Sequence, residues 1–91
     1  MSAIVKATVP RLAPGCRMGE GREDMLLIPE GALRMKGPAR MIIERCDGQR
    51  SVGVIIDELC GLFPAENRTR IETEVVDLLA HLHGRGAIEL A

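Results

Sequence analysis

The 91 residues, 46% apolar with a formal net charge of −1 and neither Trp nor Tyr, describe one small folded domain rather than a disordered chain. A chain this short buries roughly 60–65% of its unfolded surface, which argues against a deep enclosed active site. Twelve basic and thirteen acidic residues lack the basic excess of a nucleic-acid binder; no run reaches the ~20 apolar residues of a membrane span, and Met1 to Pro10, interrupted by Lys6, is not expected to act as a signal peptide.

A single domain is expected over residues 1–91, with 1–9 flexible. Leu12 to Met18 carries Pro14 and Gly15, so it reads as a weak or bulged strand. Gly19-Glu20-Gly21 marks a turn. Met25 to Ile28 is a continuous apolar run suited to a covered strand. Pro29-Glu30-Gly31 interrupts it, and Ala32 to Lys36 follows, with Leu33 and Met35 alternating with Arg34 and Lys36 as in a half-buried strand. These segments predict a three-stranded antiparallel sheet.

Gly37-Pro38 resets the period, and Pro suits the first turn of a helix. Ala39, Ile42, Ile43 and Cys46 form one helical stripe, stopped at Asp47-Gly48. Ser51 is a good N-cap for a second helix, whose stripe is Val52, Ile55, Ile56 and Leu59. Gly53 weakens that helix by roughly 1 kcal/mol relative to Ala. The helix is expected to end near Gly61 to Phe63, before Pro64. A third and longest helix starts at Asn67 or Thr69, the latter with Glu72 at capping-box spacing. Its central stripe is Ile71, Val75, Leu78 and Leu82. Gly84 and Gly86 close it, and Ala87 to Leu90 can form a last strand. The order predicts an α+β, winged helix-turn-helix-like domain.

No chemistry stands out. The acidic residues form no recognisable acid–base pair, and no nucleophile-elbow, P-loop or zincin motif occurs. His81 and His83, two apart on a helix, diverge by about 200° and cannot chelate one ion together. Cys16, Cys46 and Cys60 are odd in number and far apart, as expected of reduced cytosolic thiols rather than a disulfide framework or zinc site. No catalytic residue, metal or cofactor is expected. Asn67-Arg68-Thr69 matches a glycosylation sequon but reads more simply as a helix cap. A winged-helix DNA-binding regulator is the main alternative, yet the third helix would bring Glu72, Glu74 and Asp77 to the phosphates beside Arg68 and Arg70. A self-associating structural module is the other.

The apolar face of the third helix is more informative. Its central stripe spans about 60°, and Val76 with Leu79 widens the arc to roughly 160°. Either the other helices cover this extra width, or it forms one wall of a groove whose other wall is the strand Ala32–Lys36. That strand reads as a sheet edge, protected by Arg34 and Lys36 from accidental pairing, and able to accept an extended peptide. The weak first strand also predicts a homodimer formed by exchange of N-terminal strands.

The chain resembles the PqqD family of pyrroloquinoline quinone biosynthesis over about residues 9–90. The marks are Pro10, Leu26-Leu27-Ile28-Pro29-Glu30-Gly31, then Ala39, Ile42-Ile43 and Cys46-Asp47-Gly48, a short helix from Ser51-Val52, and a long helix through Leu79, Leu82 and Gly86. It departs at Lys36, where Asn is usual, at Glu74, where Asp is usual, and at Arg45, where an aliphatic is common. The Lys36 change bears on the cap of the first helix. The resemblance implies a cytoplasmic peptide chaperone, a recognition element for a ribosomally made precursor. It would bind the peptide PqqA and present it to PqqE, a radical S-adenosylmethionine enzyme. It places the peptide between the third strand and third helix. Spacing then nominates Arg34 and Lys36 on the strand, and Glu72, Val76, Leu79 and His83 on the helix, as peptide-binding residues.

Overall fold

The structure, a computed structural model, describes residues 4–19 and 24–91. The helical stripes assemble the core. Ala39, Ile42 and Ile43 are buried on α1 (Ala39–Glu44), with Cys46 buried just beyond its end, and Val52, Ile55, Ile56 and Leu59 are buried on α2 (Val52–Leu62). α3 (Arg68–Gly84) adds Ile71, Val75, Leu79 and Leu82. Leu79, 0% exposed, takes the core place expected for Leu78, which is only half-buried. The helical wheel admits either residue within an arc of about 80°. Neighbours decide between them: Arg68 reaches Asp57 of α2 at 2.6 Å and Glu72 reaches Lys6 at 3.8 Å. Leu79 lies at the angle between Arg68 and Glu72, on the side that α2 and the N-terminal segment cover.

The sheet forms as β2 (Arg17–Met18), β3 (Met25–Ile28) and β4 (Gly31–Arg34), antiparallel in that order. Leu26 pairs with Leu33 and with Met18, facing the core, while Met25↔Arg34 and Leu27↔Ala32 face the other way. β4 therefore starts one residue and ends two residues earlier than the expected Ala32–Lys36. The expected first strand is in fact two strands in two sheets. Gly15 (φ 85°) and the bond from Cys16 N–H to the Ala13 carbonyl turn the chain after β1 (Pro10–Leu12). β1 pairs instead with β5 (Ile88–Leu90), the expected last strand. On its other side Leu12 N–H donates to the Cys46 carbonyl and Gly48 N–H to the Pro10 carbonyl. Exchange of this strand would have to break bonds on both sides before remaking them in a partner chain. Of the turn at Gly19-Glu20-Gly21, Gly19 N–H donates to the Met25 carbonyl at 2.7 Å; Glu20 and Gly21 lie outside the described residues.

Residues 4–9, expected to be flexible, lie against the start of α2. Thr8 is buried, and the carbonyls of Thr8 and Lys6 accept from Val52 and Gly53 N–H at 2.8 and 2.9 Å. These N–H groups belong to the first turn, which has no acceptor within its own helix. The approach is close: a Cβ at Gly53 would just touch the Lys6 carbonyl oxygen, at 3.4 Å. Residues 1–3 lie outside the described residues.

Caps follow the sequence with two adjustments. Ser51 Oγ accepts from Val54 N–H at 3.2 Å. Asn67 rather than Thr69 caps α3, its Oδ1 accepting from Thr69 N–H at 2.7 Å. α1 starts after Pro38 with no side-chain cap, since proline at the N-cap has no side-chain acceptor. At its other end Arg45 bonds the Met41 carbonyl and Glu58 of α2, and Arg50 bonds the same Glu58. The two helices are thereby tied together.

Leu79→Ala should destabilise the fold by about 2–5 kcal/mol, the usual range for a fully buried leucine. Leu78→Ala should have a distinctly smaller effect. Urea denaturation of the two variants measures the difference, and equal losses would contradict the observed rotation of α3.

Candidate peptide-binding site

Two features meet at one end of the molecule. The first is the outer edge of β4. Met35 N–H donates to the Asp24 carbonyl at 2.7 Å, which marks 24/35 as a hydrogen-bonded pair. Antiparallel alternation then makes Leu26/Leu33 bonded and leaves Met25/Arg34 and Leu27/Ala32 as non-bonded pairs. The main-chain N–H and C=O groups of Ala32 and Arg34 therefore point away from β3. Among the described residues β4 pairs with β3 only. Met35 is buried and Leu33 half-buried toward the core, whereas Ala32, Arg34 and Lys36 are exposed.

The second feature is an apolar pocket of about 420 Å³ where the chain leaves β4 and enters α1. Ile42, Leu59, Ile71 and Val75 contribute buried core surface, and Pro38, Met41 and Phe63 are half-buried around it. Glu66, Arg70 and Glu74 form a polar rim, with Arg70 Nε 3.4 Å from Glu74 Oε1. The pocket exists because α2 and α3 diverge here. Pro64 stops α2, leaving Phe63 as its C-terminal cap residue, its N–H on the Leu59 carbonyl. α3 does not begin until Arg68.

The residues nominated from sequence divide. Arg34 and Lys36 stand exposed along the edge and its continuation. Glu72, Val76 and His83 share one flank of α3, but that flank carries the Glu72 contacts to Arg68 and Lys6. Glu74, at the pocket, lies about 160° around the helix from Glu72. Leu79 fills the core and has no exposed surface to offer. The flank that meets the pocket is instead that of Arg70 and Glu74, with the half-buried Leu78 one turn further along it. Sequence reasoning did not bring Met41, Phe63, Arg70 and Glu74 together as the lining of a pocket. Phe63 could have been found as the only aromatic, set directly before Pro64, and Met41 as an apolar residue off the α1 stripe.

Cys46, 4% exposed, has its Sγ 3.3 Å from the Ile42 carbonyl oxygen. Burial, with the nearby Asp47 carboxylate, pushes its thiol from the usual 9.0 up to about 12. Asp47 itself is held below the usual carboxylate range by hydrogen bonds from the Gln49 and Arg50 N–H groups and by the Arg50 charge. Among the described residues no group of three or more His, Cys, Asp or Glu side chains is arranged to hold a metal, and no helix is long and apolar enough to cross a membrane.

Residues 23–88 match the family described as Coenzyme PQQ synthesis protein D (PqqD). The chain belongs to the PqqD family. Among its relatives is a "PqqA binding protein" of Xanthomonas axonopodis pv. citri (strain 306), 32% identical over 93 residues that cover 99% of this chain and all of that one. Another, of Rhodopseudomonas palustris (strain BisB5), is 37% identical over 87 residues, 94% of this chain and 83% of the relative. The solution structure of the PqqD part of Methylobacterium extorquens PqqCD superposes with a TM-score of 0.81 at 26% identity, covering 96% of this chain and 95% of that one. That structure is described as a stand-alone recognition element for ribosomally synthesised, post-translationally modified peptides. The α+β architecture expected from the order of elements is the one observed, and the PqqD recognition element shares it.

Cys46 gives this PqqD member a specific alkaline sensitivity. In the unfolded chain the thiol ionises near its usual 9.0, whereas in the folded chain it keeps its proton to about 12. The folded state should therefore lose stability as pH rises above about 9, and the loss should level off near 12. Cys46→Ala should remove this component from a stability–pH profile measured by urea denaturation. A wild-type profile of the same shape as the variant's would contradict it.

Proposed function

We propose that this chain is the peptide chaperone of a pyrroloquinoline quinone pathway, with no chemistry of its own. It binds the precursor peptide PqqA and presents it to the radical S-adenosylmethionine enzyme PqqE in the cytoplasm. The observation that carries this reading is the β4 edge, where outward main-chain groups at Ala32 and Arg34 adjoin an apolar pocket. An extended peptide added there gains main-chain hydrogen bonds from the edge and selectivity from the side chains beside it. The names of the relatives, and the peptide-recognition role given to the Methylobacterium extorquens domain, support the same class of ligand.

Arg34 and Lys36 remain in this proposal, and Arg70, Glu74 and Leu78 take the place of Glu72, Val76, Leu79 and His83. A homodimer by exchange of N-terminal strands would require β1 to release its bonds on both sides and remake them in the partner. DNA readout by α3 is disfavoured because its bases are engaged, Arg68 with Asp57 and Glu72, and Arg70 with Glu74.

Ala32→Pro tests the edge. Proline there removes an N–H that faces the peptide and leaves the β3–β4 bonds intact. Calorimetry with the precursor peptide should show affinity reduced roughly 2–12-fold, as for loss of one hydrogen bond of about 0.5–1.5 kcal/mol. The melting temperature should change little. Unreduced affinity in a folded variant would mean the peptide does not lie on β4.

A further inference from the structure

We infer that the pocket between Pro38, Met41, Phe63 and the Arg70–Glu74 turn of α3 is an anchor site for one bulky apolar side chain of the bound peptide, aliphatic or aromatic. The inference rests on the peptide reading above and adds what that reading leaves open, namely the residue chemistry the protein selects. At about 420 Å³ the pocket falls within the usual range of ligand sites, roughly 300–1,000 Å³. It is not a packing fault of the core. Val75, Ile42 and Leu59, which line it, are each at most 2% exposed, so the layer beneath it is closed. What stays open is an apolar recess that an isolated small domain would be expected to fill or cover.

Its position relative to β4 identifies the occupant. Main-chain pairing along the edge must stop at Gly37-Pro38, because the chain turns at Gly37 (φ 58°) and Pro38 has no N–H to offer. A peptide strand lying beside β4 and continuing in the same direction runs directly onto the residues that line the pocket. Gly37 is three residues beyond Arg34, so at about 3.3 Å per residue the anchor is the third peptide residue past the one opposite Arg34. The odd offset also fixes its direction. The residue opposite Arg34 points outward with the Arg34 side chain, so the third one on points inward, to the face of Leu33 and Met35. The peptide is thus read as a short paired stretch with its outward side chains beside Arg34 and Lys36, then one inward apolar residue seated under the Arg70–Glu74 rim.

The test is calorimetry with the synthetic precursor peptide PqqA and with versions in which each apolar residue is replaced in turn by alanine. On the wild-type protein, one replacement should lower affinity roughly tenfold and the others much less. Met41→Trp, which fills the pocket from a half-buried wall position, should lower affinity for the unaltered peptide by a similar factor. On this variant the sensitive replacement should have no further effect, because the two changes remove the same contact. Glu74→Trp, from the exposed rim, serves the same purpose if Met41→Trp does not fold. Wild-type affinity in the tryptophan variants, with binding still weakened by Ala32→Pro, would overturn the anchor site and leave the edge reading standing. Wild-type affinity in all three would overturn both. Tryptophan variants that bind weakly but remain equally sensitive to every alanine replacement would show that no single side chain uses the pocket.

Discussion

The rotational setting of α3 governs what the surface of this protein can do. Ile71, Val75, Leu79 and Leu82 seat the helix in the core. On one side its flank is held by pairs from Arg68 to Asp57 and from Glu72 to Lys6. These ion pairs are exposed and each contributes little to stability; burial of the four apolar side chains supplies the energy. With the helix so turned, Glu72, Val76 and His83 lie on the flank that carries the contacts to α2 and the N-terminal segment. Arg70 and Glu74 border the pocket together with Gly37 and Pro38, just beyond the end of β4. A roll of about 20° would put Leu78 into the core in place of Leu79 and change which residues border the pocket.

The site is made largely by interruptions. Gly37-Pro38 ends pairing along the sheet edge, and Pro64 ends α2 so that Phe63 remains beside the opening. α1 is short and has no side-chain cap. Its far end is steadied by Arg45, which bonds both Glu58 and the carbonyl of Met41. The same guanidinium therefore fixes the backbone of a pocket wall and joins α1 to α2. A wall steadied in this way beside the outer edge of β4 suits capture of an extended peptide, because little of the protein has to become ordered on binding.

Periodicity made most of the fold legible. The stripes on α1 and α2, the Ser51 cap, the break at Pro64 and the hairpin around Pro29-Glu30 all follow from local rules and are found as expected. So does the PqqD kinship, because its marks are core and turn residues that keep their order along the chain. The features that escaped depend on distant partners. Leu78 and Leu79 each complete a narrow apolar stripe on a helical wheel, and only packing against α2 and the N-terminal segment separates them. Leu12–Met18 reads as one strand until β5, far along the chain, claims its first part. Residues 4–9 carry no periodic pattern, yet they supply acceptors to the first turn of α2. The helix flank that borders the pocket was consequently not the one chosen from sequence, while the strand was identified correctly as the sheet edge. Width of an apolar arc measures how much of a helix is covered, and says nothing about which neighbour covers it.

Amide chemical shifts of the ¹⁵N-labelled protein, followed while the precursor peptide is titrated in, test the central claim most directly. The largest changes should fall on Ala32, Arg34 and Lys36, on Met41 and Phe63, and on Arg70, Glu74 and Leu78. Changes concentrated instead on Glu72, Val76 and His83, with the β4 edge and the pocket residues undisturbed, would contradict the account.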